Sequence, residues 1–220
     1  MSELMPLLQV FDPLFPVGAY TLSNGMETYT QKGIVRDRGS LSDYLASFLA
    51  VLPYGDLGLA AHAALGGDAA ALDAVCNAMK APKELRDGSA HLASRFIKAV
   101  TPLFSCPELA AYGELVRAGD CRGHYSVAAG LFIRDTGADT ARGLEIYCYS
   151  LLAAAVNHAA KLVPLRQGDA QGALADAAVR ISGAAALALH TEIDELGVSG
   201  AGFELRAMQH ESLYTRLYAS

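Results

Sequence analysis

Histidine and cysteine are the residues of this chain best suited to hold a metal or attack a substrate. The histidines stand at His62, His91, His124, His158, His190 and His210. No two are four residues apart, and neither HxH nor HExxH occurs, so no helix face offers a metal-ligand pair. His62 sits among alanines, as a packed or surface histidine does. His158 and Lys161 lie one turn apart on an otherwise apolar run, which fits a polar contact between helices. His190 precedes Glu192, Asp194 and Glu195. That cluster is an acidic helix end in water, or a weak seat for a hard cation. Cys76, Cys106, Cys121 and Cys148 form no CxxC pair. Widely spaced cysteines read as free thiols in a reducing compartment, where they behave as small hydrophobes. There is no GxSxG for a serine nucleophile and no GxxxxGK[ST] for a nucleotide phosphate. The expectation is a chain with no cofactor and no resident metal that neither binds nor hydrolyses GTP.

The polar chemistry that does stand out is hydroxyl-rich and sits on a stiff loop. From Leu7 to Thr30 the chain reads apolar helix, loop, second helix. Pro13 and Pro16 bracket Leu14 and Phe15, so the backbone cannot stay helical through them. Gly18 and Asn24-Gly25 supply turn chemistry. Between the turns lie Tyr20, Thr21 and Ser23. Such a loop is either a recognition surface or a buried hydrogen-bonded corner, and residues that recognise partners concentrate on rigidly held loops.

The elements around this loop read as helices. Leu41, Tyr44, Leu45, Phe48, Leu49 and Leu52 recur at three and four behind Ser40, read as an N-cap. Asp68 opens a second run. Pro82 and Pro107 sit where helices begin. Asp139 opens the longest run, closed by Pro164, and Asp169 opens another through Leu187. No six residues alternate convincingly and no fixed-period repeat occurs. The fold class is therefore all-α, a single-domain helical bundle of about ten helices over residues 1–220. Glycines inside these runs, among them Gly130 and Gly183, are expected to allow close helix packing. GVSGAG at 197–202 reads as a flexible hinge before an apolar tail, 203–220, that orders on its own domain or on a partner.

Charged residues make up 18% of the chain, below the roughly 25% usual for a soluble domain, so part of the surface is expected to be covered. A homodimer would cover it, two-fold symmetry being the commonest. A net charge of −6 with no basic stripe argues against nucleic-acid binding. The acidic start, Met1-Ser2-Glu3, followed by Pro6, is unlike a signal peptide. The apolar windows at 144–156 and 183–189 stop short of the ~20 residues a membrane span needs. The expected location is cytoplasmic.

Four blocks, in order, resemble the UreF family of urease accessory proteins. Leu7-Leu8, Phe15-Pro16-Val17-Gly18 and Ser23-Asn24-Gly25-Met26-Glu27 resemble its amino-terminal signature. GHYSVAAGLF at 123–132 is similar to its His-Tyr segment, and VNHAAKLVPLRQGDAQ at 156–171 to its Leu-x-Pro-Leu-x-Gln junction. FELRAMQHESLYTRLYAS at 203–220 resembles its carboxyl-terminal tail. The resemblance implies a helical, non-catalytic adaptor that pairs with UreD (also called UreH), recruits the GTPase UreG, and through them serves apo-urease as nickel is inserted. It implies partner-binding roles for Phe15, Pro16, Gly18, Tyr20, Thr21, Ser23, Gly25 and Glu27, and for His210, Glu211, Tyr214, Arg216 and Leu217. It further implies that Tyr20 and Arg216 meet to build the GTPase-recruiting surface. The chain departs from the family pattern at Ala19-Tyr20-Thr21-Leu22 and at Gln209, where a basic residue is common. A direct nickel carrier using His210, and an unrelated helical enzyme, are the alternative readings.

Overall fold

The computed structural model describes residues 3–19, 22–198 and 200–219. Among them there is no strand. The helices are α1 (Leu4–Val10), α2 (Met26–Gln31), α3 (Arg38–Val51), α4 (Asp56–Ala64), α5 (Ala69–Met79), α6 (Lys83–Val100), α7 (Pro107–Ala118), α8 (Tyr125–Thr136), α9 (Thr140–Leu162), α10 (Gln167–Ala178), α11 (Ile181–His190) and α12 (Ala201–His210). The all-α expectation holds. Two of these helices, α1 and α2, are short flanks of the amino-terminal loop.

Local chemistry explains most of the boundaries. Asp68 and Asp139 are N-caps, accepting from the amides of Ala71 and Arg142. Pro107 is the first residue of α7. The cap of α3 is Asp37 rather than Ser40. The Asp37 carboxylate accepts from the Ser40 amide at 2.8 Å, and Ser40 Oγ accepts from the Asp37 amide at 3.0 Å. Ser40 is thus the third-residue half of a capping box. The run from Asp169 through Leu187 is two helices. It starts at Gln167, two residues before Asp169, and bends by 43° between α10 and α11. The bend lets two apolar faces find different partners: α10 packs on α3 and α9, and α11 on α9 and α4.

The central helix is α9. Its Leu144, Tyr147, Cys148, Leu152 and Val156 are all buried, and α1, α2, α3, α4, α8, α10 and α11 all touch it. Phe11, at the end of α1, reaches this core, its ring centroid 5.3 Å from Tyr147 and 6.2 Å from Phe96. The stretch Arg38–Ala64 has the length and hydropathy of a membrane crossing. Pro53 interrupts it in a 3-10 turn, and Leu41, Leu45, Leu49, Leu57 and Leu59 are buried against the other helices.

A buried polar network ties α5, α6, α7 and α8 together. The Asp73 carboxylate accepts from the Tyr112 hydroxyl and from the amides of Arg122 (2.7 Å) and Gly123 (2.9 Å). Tyr112 Oη accepts from the His124 amide at 2.7 Å. Ser89 Oγ lies 3.2 Å from His124 Nδ1 and accepts from the Tyr125 amide at 3.1 Å. The Gly-His-Tyr block is therefore the cap region of α8, held by side chains from three other helices.

The glycines inside the helices divide by environment. At Gly130 of α8, an added Cβ would lie 2.2 Å from the Ala60 carbonyl oxygen of α4. The two helices touch backbone to backbone there. Nothing lies within 4 Å of the corresponding point at Gly183 of α11. Close packing accounts for the first glycine and not for the second. Gly130→Ala should destabilise the fold by about 2 kcal/mol through overpacking and lower the melting temperature by roughly 4–8 °C. Gly183→Ala should be neutral or stabilising by up to ~1 kcal/mol. Thermal melts of the two variants against the parent chain check both.

Candidate functional site

The carboxyl-terminal segment is seated on its own chain. Helix α12 begins at Ala201, inside the glycine-rich stretch, and the Gly197 amide donates to the Tyr54 carbonyl at 2.9 Å. Ser199 lies outside the described residues. Phe203 enters an aromatic group with Tyr29, Tyr44 and Phe48, at centroid distances of 5.7, 5.2 and 5.7 Å. Gly25, left-handed at φ +81°, ends the loop as the N-cap of α2, and an added Cβ there would come within 3.1 Å of the Ala207 amide nitrogen. The amino-terminal signature and the tail thus pack directly on each other.

At this junction three titratable side chains converge. His210 ends α12 and is fully buried. Its Nε2 lies 3.1 Å from Glu27 Oε2, and its Nδ1 lies 2.6 Å from Glu84 Oε2. Glu27, in the first turn of α2, also accepts from the amides of Leu217 (2.7 Å) and Tyr218 (3.1 Å). Burial alone would raise the Glu27 carboxyl. The Leu217 amide, the His210 ring and the Tyr218 amide together hold it below the usual carboxylate range. Glu84, in the first turn of α6, gives its second oxygen to Arg216 Nη1 at 2.7 Å. A carboxylate in the first turn of a helix lies favourably in the helix dipole, as Glu84 does. Beyond the clasp, the buried Tyr218 ring stacks edge-on against His158 at 4.9 Å. That contact joins the tail to the 156–171 block.

The other residues expected to serve the site fall into three places. Phe15 is half-buried against the core, Gly18 is buried beside Arg95, and Ser23 is buried with its Oγ 3.4 Å from the Glu27 amide. Pro16, Glu211, Tyr214, Arg216 and Leu217 face solvent, with Tyr214 wholly exposed and Leu217 at 66%. Tyr20 and Thr21 lie outside the described residues, so the expected meeting of Tyr20 with Arg216 falls outside them too. The described partner of Arg216 is Glu84. Glu27 and His210 present no surface of their own, and what they do is fix the segment that does. Leu205 and Met208 of α12 are exposed as well.

Sequence reading missed Glu84. Its signal is only a first-turn acid after Pro82, and nothing local links it to a residue 126 positions away. It also missed Lys80 and Asp56, which pair at 2.8 Å in the wall of a cavity of about 670 Å³ beneath the 11–19 loop. All four cysteines are buried and unpaired, and burial pushes the Cys76 and Cys148 thiols up to about 12. Among the described residues, no three His, Cys, Asp or Glu side chains are arranged to hold a metal ion.

Removing Glu27 should do more damage than removing Arg216. Glu27→Ala strands two amides and an imidazole, which should cost about 2–3 kcal/mol and release the tail. Arg216 is 41% exposed and its ion pair faces water, so Arg216→Ala should cost less than about 1 kcal/mol. Urea unfolding of the two variants measures the difference.

The family model described as UreF matches residues 35–178. A protein named urease accessory protein UreF from Actinobacillus pleuropneumoniae is 34% identical over 227 residues, covering 100% of both chains. One of the same name from Arthrobacter sp. strain FB24 is 32% identical, covering 100% of this chain and 98% of its own. Another from Haemophilus influenzae strain PittEE is 31% identical, covering 100% of this chain and 97% of its own.

Proposed function

This chain belongs to the UreF family of urease accessory proteins, and on that premise we propose that it is a non-catalytic adaptor in the maturation of urease. In this reading it works in the cytoplasm, pairs with UreD/UreH, recruits the GTPase UreG, and so supports nickel insertion into apo-urease. UreG supplies the hydrolysis. The observation that carries the reading is the clasped tail. Two buried carboxylates and a buried histidine hold a segment whose outward side chains are Tyr214, Arg216 and Leu217. Large apolar side chains exposed beside an arginine, on a rigid support, are the composition of an interface centre.

Arg216→Ala should leave the melting temperature nearly unchanged and pairing with UreD intact, while recruitment of UreG drops. Truncating a central interface arginine typically costs about 2 kcal/mol, roughly thirtyfold in affinity. A three-component pull-down beside a thermal melt checks this. Normal recruitment by a normally folded variant would remove Arg216 from the surface. The same reading includes a homodimer, supported by the low charge fraction and by the exposed Val179 and Leu187 on the α10–α11 side. Sedimentation equilibrium should give twice the 23.1 kDa chain mass.

A further inference from the structure

The hydrogen-bond inventory of His210 does not close with one ring proton. A neutral imidazole carries one N–H donor and one bare nitrogen acceptor. Here both ring nitrogens face carboxylate oxygens, at 2.6 and 3.1 Å. A bare nitrogen against an ionised carboxylate is a contact between two acceptors, buried and without water to separate them. One additional proton removes the conflict.

The neighbours decide where that proton sits. Glu27 accepts two amides and is held below the usual carboxylate range, so it stays ionised. Glu84 already accepts from the Arg216 guanidinium on its other oxygen, an ion pair at 2.7 Å. The ring is left as the proton's place. The remaining charged and titratable neighbours divide by element. On α6, Lys83 is paired with Asp87. On α12, Arg206 donates to Gln209, and it lies near the Tyr29 phenol of α2. On the tail, Glu211 is exposed and Tyr218 is buried beside Glu27. Two carboxylates against one imidazolium and one guanidinium make the clasp neutral only while the ring holds both protons.

We propose that the tail is fastened by a proton: the docked segment 211–219 requires His210 as the imidazolium between Glu27 and Glu84, and its release hands that proton to water. The docked form then binds one proton more than the released form at any pH where a free imidazole is neutral. Docking therefore weakens as pH rises above the ordinary imidazole range. It also weakens in acid. Glu27, depressed in the docked form, contributes its stabilisation above the ordinary carboxylate range and loses it as falling pH protonates it. Between these limits the tail is closed. The surface that the proposed adaptor function assigns to Tyr214, Arg216 and Leu217 would then be set by local pH. The fastening itself is a property of the lone chain and stands or falls apart from that reading.

The test uses the isolated full-length chain, without partners. Nitrogen NMR at pH 7.5 should show both ring nitrogens of His210 protonated. Hydrogen exchange of the Leu217 and Tyr218 amides, normalised by the intrinsic chemical rate, should lose protection about tenfold for each pH unit above about 6.5. Core amides of α9 should not follow. Glu84→Gln separates the proton from mere packing. Its amide can donate to a bare ring nitrogen, so the tail should stay docked and the pH slope should vanish. A bare nitrogen on His210 at pH 7.5 overturns the proposal. So does tail protection that is flat with pH in the parent chain, or a parent-like slope in Glu84→Gln.

Discussion

The Glu27 carboxylate is the interaction on which the two ends of this fold depend. It is nearly inaccessible to solvent, and a bare carboxylate there would be strongly unfavourable. Its tolerance rests on three donors, the Leu217 and Tyr218 amides and the His210 ring. Each donor comes from the carboxyl-terminal segment. The amino-terminal helix α2 therefore depends on the tail to keep its charge buried, and Glu84 also accepts from the tail through His210 and Arg216. The loop before α2 serves the same end. Gly25 takes a left-handed turn that brings α2 against Ala207, and the Pro13–Pro16 loop hands the chain over from Phe11 in the core.

The four sequence blocks meet along one physical path. The first supplies Glu27 and the fourth supplies its donors. The third supplies His158, on which Tyr218 stacks. The second, Gly-His-Tyr, sits apart from this junction as the cap of α8, fixed by Asp73, Tyr112 and Ser89. It reaches the clasp through α6, whose Ser89 holds that cap and whose first turn carries Glu84, and α8 also packs on α9, the helix of His158. One helix therefore connects the buried polar centre with the clasp. Glu84 is set by the position of α6, and that position is set by the Ser89–His124 contact and by Phe96 in the core.

Much of the fold was legible because it is written locally. Aspartate caps, a first-turn proline and apolar spacing at three and four mark helix starts whatever the tertiary partners are. Where the local signal was shared, the reading slipped. Asp37 and Ser40 are both good caps three residues apart, and only the geometry says which one holds the Ncap place. The α10–α11 stretch has nearly continuous apolar periodicity, and its bend answers to two separate partner helices. The candidate site was half legible. His210, Glu27 and Arg216 could be marked from motif position, but the burial of the first two and the Glu84 partner of the third could not. Glu84 could not be marked at all, because its role exists only after α6 and α12 have met.

The ambiguity of the opening loop, recognition surface or buried corner, has a physical resolution in how its residues divide. Phe11, Val17 and Ser23 are buried, whereas Pro13, Leu14 and Pro16 face water. A corner fixed from inside can present a rigid outer edge, so the two readings are consecutive rather than competing. The tail follows the same rule. Tyr218 and the backbone amides of 217 and 218 turn inward to the clasp, while the side chains of Tyr214 and Leu217 turn outward. In both segments the polar chemistry is directed at the protein itself, Asp12 and Ser23 at backbone amides and His210 and Arg216 at buried or part-buried carboxylates. The side chains left over are large, apolar or cationic, on a backbone that the inward contacts hold in place. A backbone already ordered loses little further freedom when a partner arrives. The clasp thus places its energetic weight on a few buried polar bonds and leaves the outer face of the tail fixed but unengaged.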